Sequence, residues 1–290
     1  MTGLLVDVGR QLAERWISVL VLPGLLLTGE LAVGLLVGQG DALSTDRLVH
    51  EATDAARRVQ DAGGAAVALA VLALLLAAGA LGLAAQGVGR LVRAAWLGDW
   101  PRWAQVPRDR LADRRLRRWQ DHQAEVAAAV GAGRDPSQAA GRRNRISLAP
   151  PVRPTWMGDR LAGADVRVFA EYDLDLAACW PRLWLVLPGD VREELRTASG
   201  ALDASTVLAG WAVLYALGGA LWWPSAVAAV CVWSTAWVRG RGAVATFADL
   251  IESTVDLHGA ALGAALGLGA PGSLGPELGA EITARCRKGA

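Results

Sequence analysis

Lysine is almost absent from this sequence, because only Lys288 among its 29 basic residues is a lysine. Alanine and glycine are abundant at the same time, and a GC-rich bacterial genome explains both biases. The preference for arginine is therefore no sign of phosphate recognition. The net charge of +1 gives no whole-molecule attraction to nucleic acid, so we expect no nucleic-acid partner.

Cysteine and the usual catalytic patterns are also scarce. Cys179, Cys231 and Cys286 lie far apart, and no CxxC or Cys/His spacing joins them, which indicates unpaired thiols in a reducing compartment rather than a zinc site or a disulfide framework. The sequence has no GxSxG, P-loop or HExxH. We expect no cofactor and no enzymatic activity; a lipid-active enzyme with a site built from dispersed residues is one alternative.

Charge is missing from several long stretches, and 53% of the chain is hydrophobic. Residues 65–85 consist only of Ala, Val, Leu and Gly, which is long enough to cross a bilayer. Residues 204–238 carry no charge and are interrupted by Trp222, Trp223 and Pro224, which predicts a tight hairpin with Pro224 opening its second helix. The first apolar block of the chain, residues 17–38, is too long for a secretory signal peptide and lacks a cleavage site.

These blocks predict a mostly α fold, a polytopic membrane protein with about four transmembrane helices and a helical cytoplasmic domain. The predicted spans are residues 17–38, 65–86, 204–222 and 224–238.

Basic residues orient the spans. The loop at residues 39–64 contains only three arginines against five acids, and all the other basic residues lie in the termini or in the long loop after the second span. The positive-inside rule therefore places both termini, residues 1–16 and 239–290, in the cytoplasm of a bacterium, with this protein in its plasma membrane. The external loop is predicted to contain a short capped helix at Thr45–Asp61.

The long cytoplasmic loop begins with predicted juxtamembrane amphipathic helices at residues 87–130. Trp96, Trp100 and Trp103 are spaced to share one helix face, which favours contact with the inner leaflet; a buried aromatic cluster is the alternative. The next segment predicts a solvated helix with internal ion pairs, whose arginines have anionic lipid headgroups as candidate partners. These arginines are Arg114, Arg115, Arg117 and Arg118.

Residues 131–154 are rich in Gly, Pro, Ser and Arg and have almost no apolar periodicity, which predicts a flexible linker or an exposed arm. Residues 155–203 follow as a docking region. Thr155 or Asp159 is expected to cap a helix there, and Val191 to Leu202 to form an amphipathic helix that leads into the third span.

The sequence from "PTWMGDRL" to "EYDLDLAACWPRLWLVLP" resembles an uncharacterised family of bacterial multi-pass membrane proteins. The matching positions are Pro154, Thr155, Gly158, Tyr172, Asp175, Trp180, Pro181, Arg182, Leu183 and Pro188. The resemblance covers about a third of the chain and implies a shared architecture but no activity. An asparagine is common after the glycine in that family, and Asp159 stands there in this chain. We therefore assign Asp159 no specific role from the resemblance.

Residues 179–188, "CWPRLWLVLP", are apolar but too short to cross a bilayer. Two prolines bound the apolar centre and Arg182 lies within the segment, which favours a wedge at the membrane surface or a shallow re-entrant turn. A buried helix or strand of the cytoplasmic core is the alternative. Arg182 is expected to pair with Asp173 or Asp175 in an architectural role.

Glu30 lies inside the first predicted span, where an ionisable group is costly. It is either a structural carboxylate, protonated or near the interface, or part of a path for protons or ions. The other three spans contain no Lys, Arg or His to pair with it.

Asp249, Glu252 and Asp256 form an acidic stripe at helical spacing near the C-terminus. This spacing is typical of a solvated helix face, although a metal site is the alternative. We expect the stripe to contact the arginine-rich helix of the long loop.

The distribution of polar sequence favours a membrane anchor or assembly protein whose cytoplasmic domain recruits a protein partner. Its candidate functional residues are Glu30, Tyr172, Asp175, Trp180 and Arg182. The alternative is a channel or transport component that uses Glu30, which four spans achieve only as a homo-oligomer packed through small residues such as Gly218 and Gly219.

Overall fold

The computed structural model describes residues 22–40, 42, 44–61, 63–268 and 272–288. All regular structure within these residues is helical, which confirms the mostly α prediction. The predicted N-terminal segment 1–16 and the start of the first span, residues 17–21, lie outside the described residues.

The helices follow one another through short connections. A 3₁₀ turn at Arg102–Ala104 precedes α4. The ten α-helices of the described chain are α1 Leu22–Val37, α2 Thr45–Asp61, α3 Gly64–Leu97, α4 Gln105–Gly131, α5 Ser137–Ile146, α6 Trp156–Tyr172, α7 Leu176–Val186, α8 Gly189–Gly218, α9 Trp223–Ala265 and α10 Pro276–Arg287.

The chain divides into two compact units. Unit 1 comprises Met1–Val92 and Ala204–Val238, and unit 2 comprises Arg93–Asp203 and Arg239–Ala290. Each unit contains a hydrophobic cluster made of its own residues.

Unit 1 packs its helices through small residues. A Cβ placed on Gly24 of α1 would collide with the carbonyl of Ala78, and one on Gly210 of α8 would collide with the carbonyl of Ala85. Both contacts bring a helix backbone directly against α3, which is the packing that small residues permit in membranes. The cluster they surround includes Leu27, Ala85, Trp211, Tyr215 and Ala229.

Two helices of the described chain, α3 and α8, are long and apolar enough to cross a membrane. Only 11% of the most apolar stretch of the α3 segment is buried within the molecule, against 44% for α8. Exposing so much apolar surface to water costs about 25 cal/mol per Å². The α3 surface therefore indicates association with a membrane rather than the core helix of a water-soluble fold.

The other two predicted spans do not meet this criterion of length and hydrophobicity. The described part of the first is α1, an apolar helix of only 16 residues. The fourth lies in α9, which continues as one helix from Trp223 to Ala265, beyond the predicted end of the span at residue 238.

The predicted hairpin is present. Helix α8 ends at Gly218 and α9 begins at Trp223, with Pro224 in its first turn, where the missing amide hydrogen of proline costs nothing. The side chain of Gln39 holds the turn, because its amide nitrogen donates to the carbonyls of Gly219 and Ala220. The predicted external helix is also present with its predicted bounds, Thr45–Asp61.

Unit 2 has the larger hydrophobic cluster, to which α6, α7, α8, α9 and α10 contribute. Its fully enclosed side chains include Leu174, Cys179, Leu183, Val255 and Ile282. As predicted, the polar segment from Val191 to Leu202 is helical and continues into the apolar part of α8.

The predicted flexible linker at residues 131–154 is wrong, because α5 forms within it and packs against α4. The guanidinium of Arg143 donates to Gln123 at 2.6 Å and lies 5.6 Å from the centre of the Trp119 ring. The Trp119 indole N–H in turn donates to the carbonyl of Ser147 at 3.0 Å. Polar and cation–π contacts thus order a segment that lacks the apolar periodicity of a helix.

For residues 179–188 the structure supports the alternative interpretation, a buried helix, and not a wedge at the membrane surface. Helix α7 is capped by Asp175 and buries Cys179, Leu183 and Leu187 in the core of unit 2, while Leu185 on its other side is exposed. Pro181 lies inside this helix. The segment is apolar because one of its faces is buried in the hydrophobic core of unit 2.

Candidate functional site

The N-terminus of α6 is organised around Asp159, whose side chain is only 2% exposed. Its carboxylate accepts hydrogen bonds from the backbone amides of Val152 and Arg153 at 2.8 and 2.7 Å. Arg115 of α4 donates to the same carboxylate at 2.9 Å and to the carbonyl of Ile146 at 2.8 Å. Sequence reasoning considered Asp159 only as an alternative to Thr155 for capping a helix, yet its carboxylate joins α4, α6 and the segment between them.

The "PTWMGD" motif attaches α6 to the end of α3. Thr155 caps α6 by accepting from the amide of Gly158, and its hydroxyl donates to the carbonyl of Trp96 at 2.5 Å. Gly158 has no Cβ, which lets the carbonyl of Leu97 approach it closely. These positions of the family resemblance therefore make architectural contacts.

The expected tryptophan face is corrected by the structure. Helix α3 ends at Leu97, and Gly98 adopts φ +76°, so Trp96, Trp100 and Trp103 do not share one helix. Trp96 is buried, where a Cβ on Gly240 would lie 2.6 Å from its ring, so it cannot contact lipid. Trp103 is 86% exposed, and the indole of Trp100 donates to the carbonyl of Ala95.

The four arginines of α4 also differ from one another. Arg115 points to Asp159, which removes it from the expected set of lipid contacts. Arg114, Arg117 and Arg118 are exposed and stay candidates for headgroup contact.

The acidic stripe of α9 faces α6 rather than the arginine-rich α4. Arg160 pairs with Asp249, and Arg167 pairs with Glu252. Arg160 and Arg167 are seven residues apart, which is about two helical turns, so both arginines come from one side of α6. The hydroxyl of Tyr172 extends the row by donating to Asp256 at 2.9 Å. The expected partner helix was therefore wrong, and the stripe is a packing surface.

Asp175 joins the start of α7 to α10. Its carboxylate accepts from the amide of Ala178 at 3.0 Å and from Arg287 at 2.7 Å. The amide of Ala178 first, and the guanidinium of Arg287 second, hold the pKa of Asp175 below its ordinary value. Arg182 does not make the expected pair with Asp173 or Asp175, because its guanidinium donates to the carbonyl of Ala178. Trp180 is half-buried against Trp184, with ring centres 6.2 Å apart.

An apolar groove opens between α6, α7 and α9 on the surface of unit 2, with a volume of about 390 Å³. We call it the α7 groove. It is lined by Asp165, Leu176, Ala177, Trp180, Pro181, Phe247 and Ile251.

Asp165 is the charged residue of this groove. It also borders a neighbouring hollow that contains the exposed side chains of Val166 and Phe169. Partial burial first, and the nearby Asp175 carboxylate second, raise the pKa of Asp165 above its ordinary value. Sequence reasoning missed Asp165, because a single acid on an amphipathic helix gives no signal of its own.

Backbone chemistry adds a second acceptor to the α7 groove. Pro181 has no amide hydrogen, so the helix supplies no i+4 donor to the carbonyl of Ala177. The groove therefore combines apolar walls with a carboxylate, and one of its lining residues, Ala177, has a carbonyl that lacks its usual helical donor.

Glu30 lies in unit 1, half-buried on α1. The hydroxyl of Ser225 is 2.8 Å from its carboxylate oxygen and 3.0 Å from the carbonyl of Tyr215. Gly218 and Gly219, which were expected to permit contacts between copies, pack inside this chain against Ser225 and Ala226. Sequence reasoning did not identify Ser225, because a lone serine in an apolar span is common.

Comparisons with family models, with curated proteins and with solved structures found no match to this chain.

Proposed function

We propose that this chain is a multi-pass protein of the bacterial plasma membrane that presents unit 2 to the cytoplasm as a docking domain for another protein. In this proposal it has no catalytic activity. Its four spans are residues 17–38, 65–86, 204–222 and 224–238, both termini are cytoplasmic, and the chain belongs to the uncharacterised family that its "PTWMGD" and "WPRL" motifs resemble.

The exposed apolar surface of α3 supports the membrane location. The most apolar stretch of that segment is almost entirely unburied, and the surface it exposes matches the hydrocarbon core of a bilayer. The hairpin at residues 204–238 contains no charged residue, which supports two further crossings.

The observation that carries the docking function is Asp165 at the α7 groove. Nearby acids of unit 2 have partners within the chain: Asp249 has Arg160, Glu252 has Arg167, and Asp175 has Arg287. The structure gives Asp165 no hydrogen bond or ion pair among the described residues, and burial first, with the Asp175 carboxylate second, raises its pKa. A cation brought by a partner is the complement that this site lacks.

The occupant that fits is an amphipathic helix of a partner protein. Apolar side chains on one face of such a helix pack between Trp180 and Phe247, and helix-in-groove binding uses this kind of anchor. An arginine or lysine beside them pairs with Asp165 and donates to the carbonyl of Ala177. The apolar contacts supply most of the affinity, and the charge pair sets orientation and specificity.

Site-specific photocrosslinking in cells tests this function. A photoreactive amino acid replaces Ala177, which is exposed and lines the α7 groove, and a second variant carries it at the exposed Ala124 of α4. We expect a crosslink from position 177, but not from position 124, to a cationic amphipathic segment of a different protein.

Charge reversal then tests the role of Asp165. Asp165→Lys is expected to abolish the crosslink, whereas Glu171→Lys, the same change on an exposed residue of the same helix outside the groove, is expected to leave it intact. A crosslink to lipid or to a second copy of this chain, no crosslink, or a crosslink unaffected by Asp165→Lys contradicts the docking function.

A further inference from the structure

Glu30 in unit 1 is an acid for which the structure shows no basic partner among the described residues. The predicted spans at residues 17–38, 65–86 and 204–238 contain no Lys, Arg or His. An ionised carboxylate at this depth therefore has no cationic side chain in the spans to offset the cost of leaving water. Hydroxyl and carbonyl groups are the partners that the fold provides instead.

Ser225 is the nearest of these partners and is almost fully buried. Its Oγ lies 2.8 Å from the Oε2 atom of Glu30 and 3.0 Å from the carbonyl oxygen of Tyr215. A serine hydroxyl has one hydrogen to donate. It can donate to one of these two oxygens, but not to both.

The single hydrogen of the Ser225 hydroxyl favours one protonation state of the Glu30 carboxyl. If Glu30 is ionised, Ser225 donates to it, and the contact of 3.0 Å with Tyr215 sets two oxygen lone pairs against each other. If Glu30 carries a proton, Glu30 donates to Ser225, and Ser225 donates to the carbonyl of Tyr215. Both short contacts are then hydrogen bonds of ordinary length.

We propose that Glu30 is a proton-binding site inside the membrane, whose protonated carboxyl donates to Ser225, which donates in turn to the carbonyl of Tyr215. The proposal rests on the membrane location of unit 1 but not on the docking function of unit 2. It identifies the ligand of this site as a proton, with the groups that hold it.

The surrounding residues preserve this chain of hydrogen bonds. A Cβ on Gly218 would lie 3.0 Å from the Ser225 hydroxyl and close to Leu27 and Leu31 of α1, so glycine leaves the space that the chain occupies. The carbonyl of Tyr215 also accepts from the amide of Gly219 at 3.0 Å, which fixes its direction. The proton therefore ties α1 to both helices of the hairpin.

The titratable neighbours of Glu30 can be stated for the part of the chain that the structure describes. There, Tyr215 of α8 is a titratable side chain near Glu30, and its hydroxyl lies 3.4 Å from the carbonyl of Pro23 on α1. The predicted spans at residues 65–86 and 224–238, within α3 and α9, contain no acidic or basic residue. Proton binding at Glu30 is thus not offset by another charged side chain of the spans.

Infrared spectra of the full chain in lipid nanodiscs at neutral pH, compared between the wild type and its variants, test the site. We expect a carbonyl stretching band of a protonated carboxylic acid that is lost in Glu30→Gln. Ser225→Ala is expected to shift the band to higher frequency, because the carboxyl loses its hydrogen-bond acceptor. Ser234→Ala is the matched control on α9, since that hydroxyl donates only to the carbonyl of Val230 in its own helix, and it is expected to leave the band unchanged.

A second measurement does not depend on how the variants fold. A hydrophobic carbodiimide reacts in the bilayer with protonated carboxyls, and mass spectrometry of the wild-type chain is expected to locate its adduct on Glu30. Absence of both the Glu30-dependent band and the adduct in protein that sediments with the bilayer overturns the proton site alone. Failure of the wild-type chain to enter the bilayer overturns the membrane location that the proposed function also requires.

Discussion

Arg115 and Asp159 form an ion pair in which the guanidinium lies 2.7 Å from a carboxylate that is almost fully buried. Forty-four residues separate the two in sequence. Their contact, with the two backbone amides that also donate to Asp159, fixes the segment between α4 and α6.

Asp159→Ala removes the buried carboxylate and leaves the facing donors without an acceptor. Breaking a buried pair in this way costs about 3–5 kcal/mol. We expect amide hydrogen exchange in α5 and α6, measured on the full chain in nanodiscs, to accelerate accordingly. The control is Asp99→Ala, because the Asp99–Arg153 pair is exposed and worth at most about 1 kcal/mol. Equal effects of the two substitutions contradict the central position of Asp159.

This relationship also shows where sequence reasoning reached its limit. The hairpin and helix α2 were predictable, because local signals define them: an uncharged run broken by Pro224, and a polar segment at Thr45–Asp61. The order within residues 131–154 was not, since it depends on Trp119, Gln123 and Asp159, which lie outside α5. A short stretch of sequence does not show which distant residues it will contact.

The acidic stripe is an intermediate case. Asp249 and Glu252 were recognised as one helix face, but their partners were placed on α4, because that helix has the highest density of arginine. The matching signal was the spacing of Arg160 and Arg167 on α6. Such a contact between helices depends on residues at compatible helical positions. It does not depend on how many arginines a helix contains.

The stability of unit 2 is expected to depend on pH through Asp175. Its folded pKa is lowered, so its contribution is fully present above the unfolded value of about 4 and is lost as the pH falls through the lower folded value. In Asp175→Asn this acid-sensitive part disappears while the helix cap remains, whereas Asp175→Ala also loses the cap, at a cost of about 1 kcal/mol. Thermal unfolding between pH 3 and pH 7 measures both effects, and an unchanged pH profile in Asp175→Asn is the contrary result.

Cys179 is expected to resist alkylation in the folded protein. Burial first, and the neighbouring Cys286 second, raise the pKa of its thiol to about 12, so almost no thiolate exists at neutral pH. Because the folded pKa is the higher one, this thiol contributes stability that is lost as the pH rises above the unfolded value of about 8.5. Maleimide labelling followed by mass spectrometry should modify Cys179 only after denaturation, and rapid modification in native protein argues against its burial in the core.

Gly210 is expected to be the most sensitive glycine of α8. Gly210→Ala drives a methyl group into the carbonyl of Ala85, and overpacking of this kind costs about 1–3 kcal/mol. Gly200→Ala on the same helix meets open space and should stabilise the protein by up to about 1 kcal/mol through helix propensity. Thermal unfolding in nanodiscs compares the two, and equal midpoints contradict the close packing of α8 on α3.

The membrane topology is the premise of the whole account, and cysteine accessibility in intact cells tests it most directly. Ala56→Cys and Ala124→Cys place a thiol on the exposed faces of α2 and α4. We predict that a membrane-impermeant maleimide labels Ala56→Cys in intact cells and labels Ala124→Cys only after lysis. Labelling of Ala124→Cys in intact cells, or protection of both sites until lysis, contradicts the proposed arrangement.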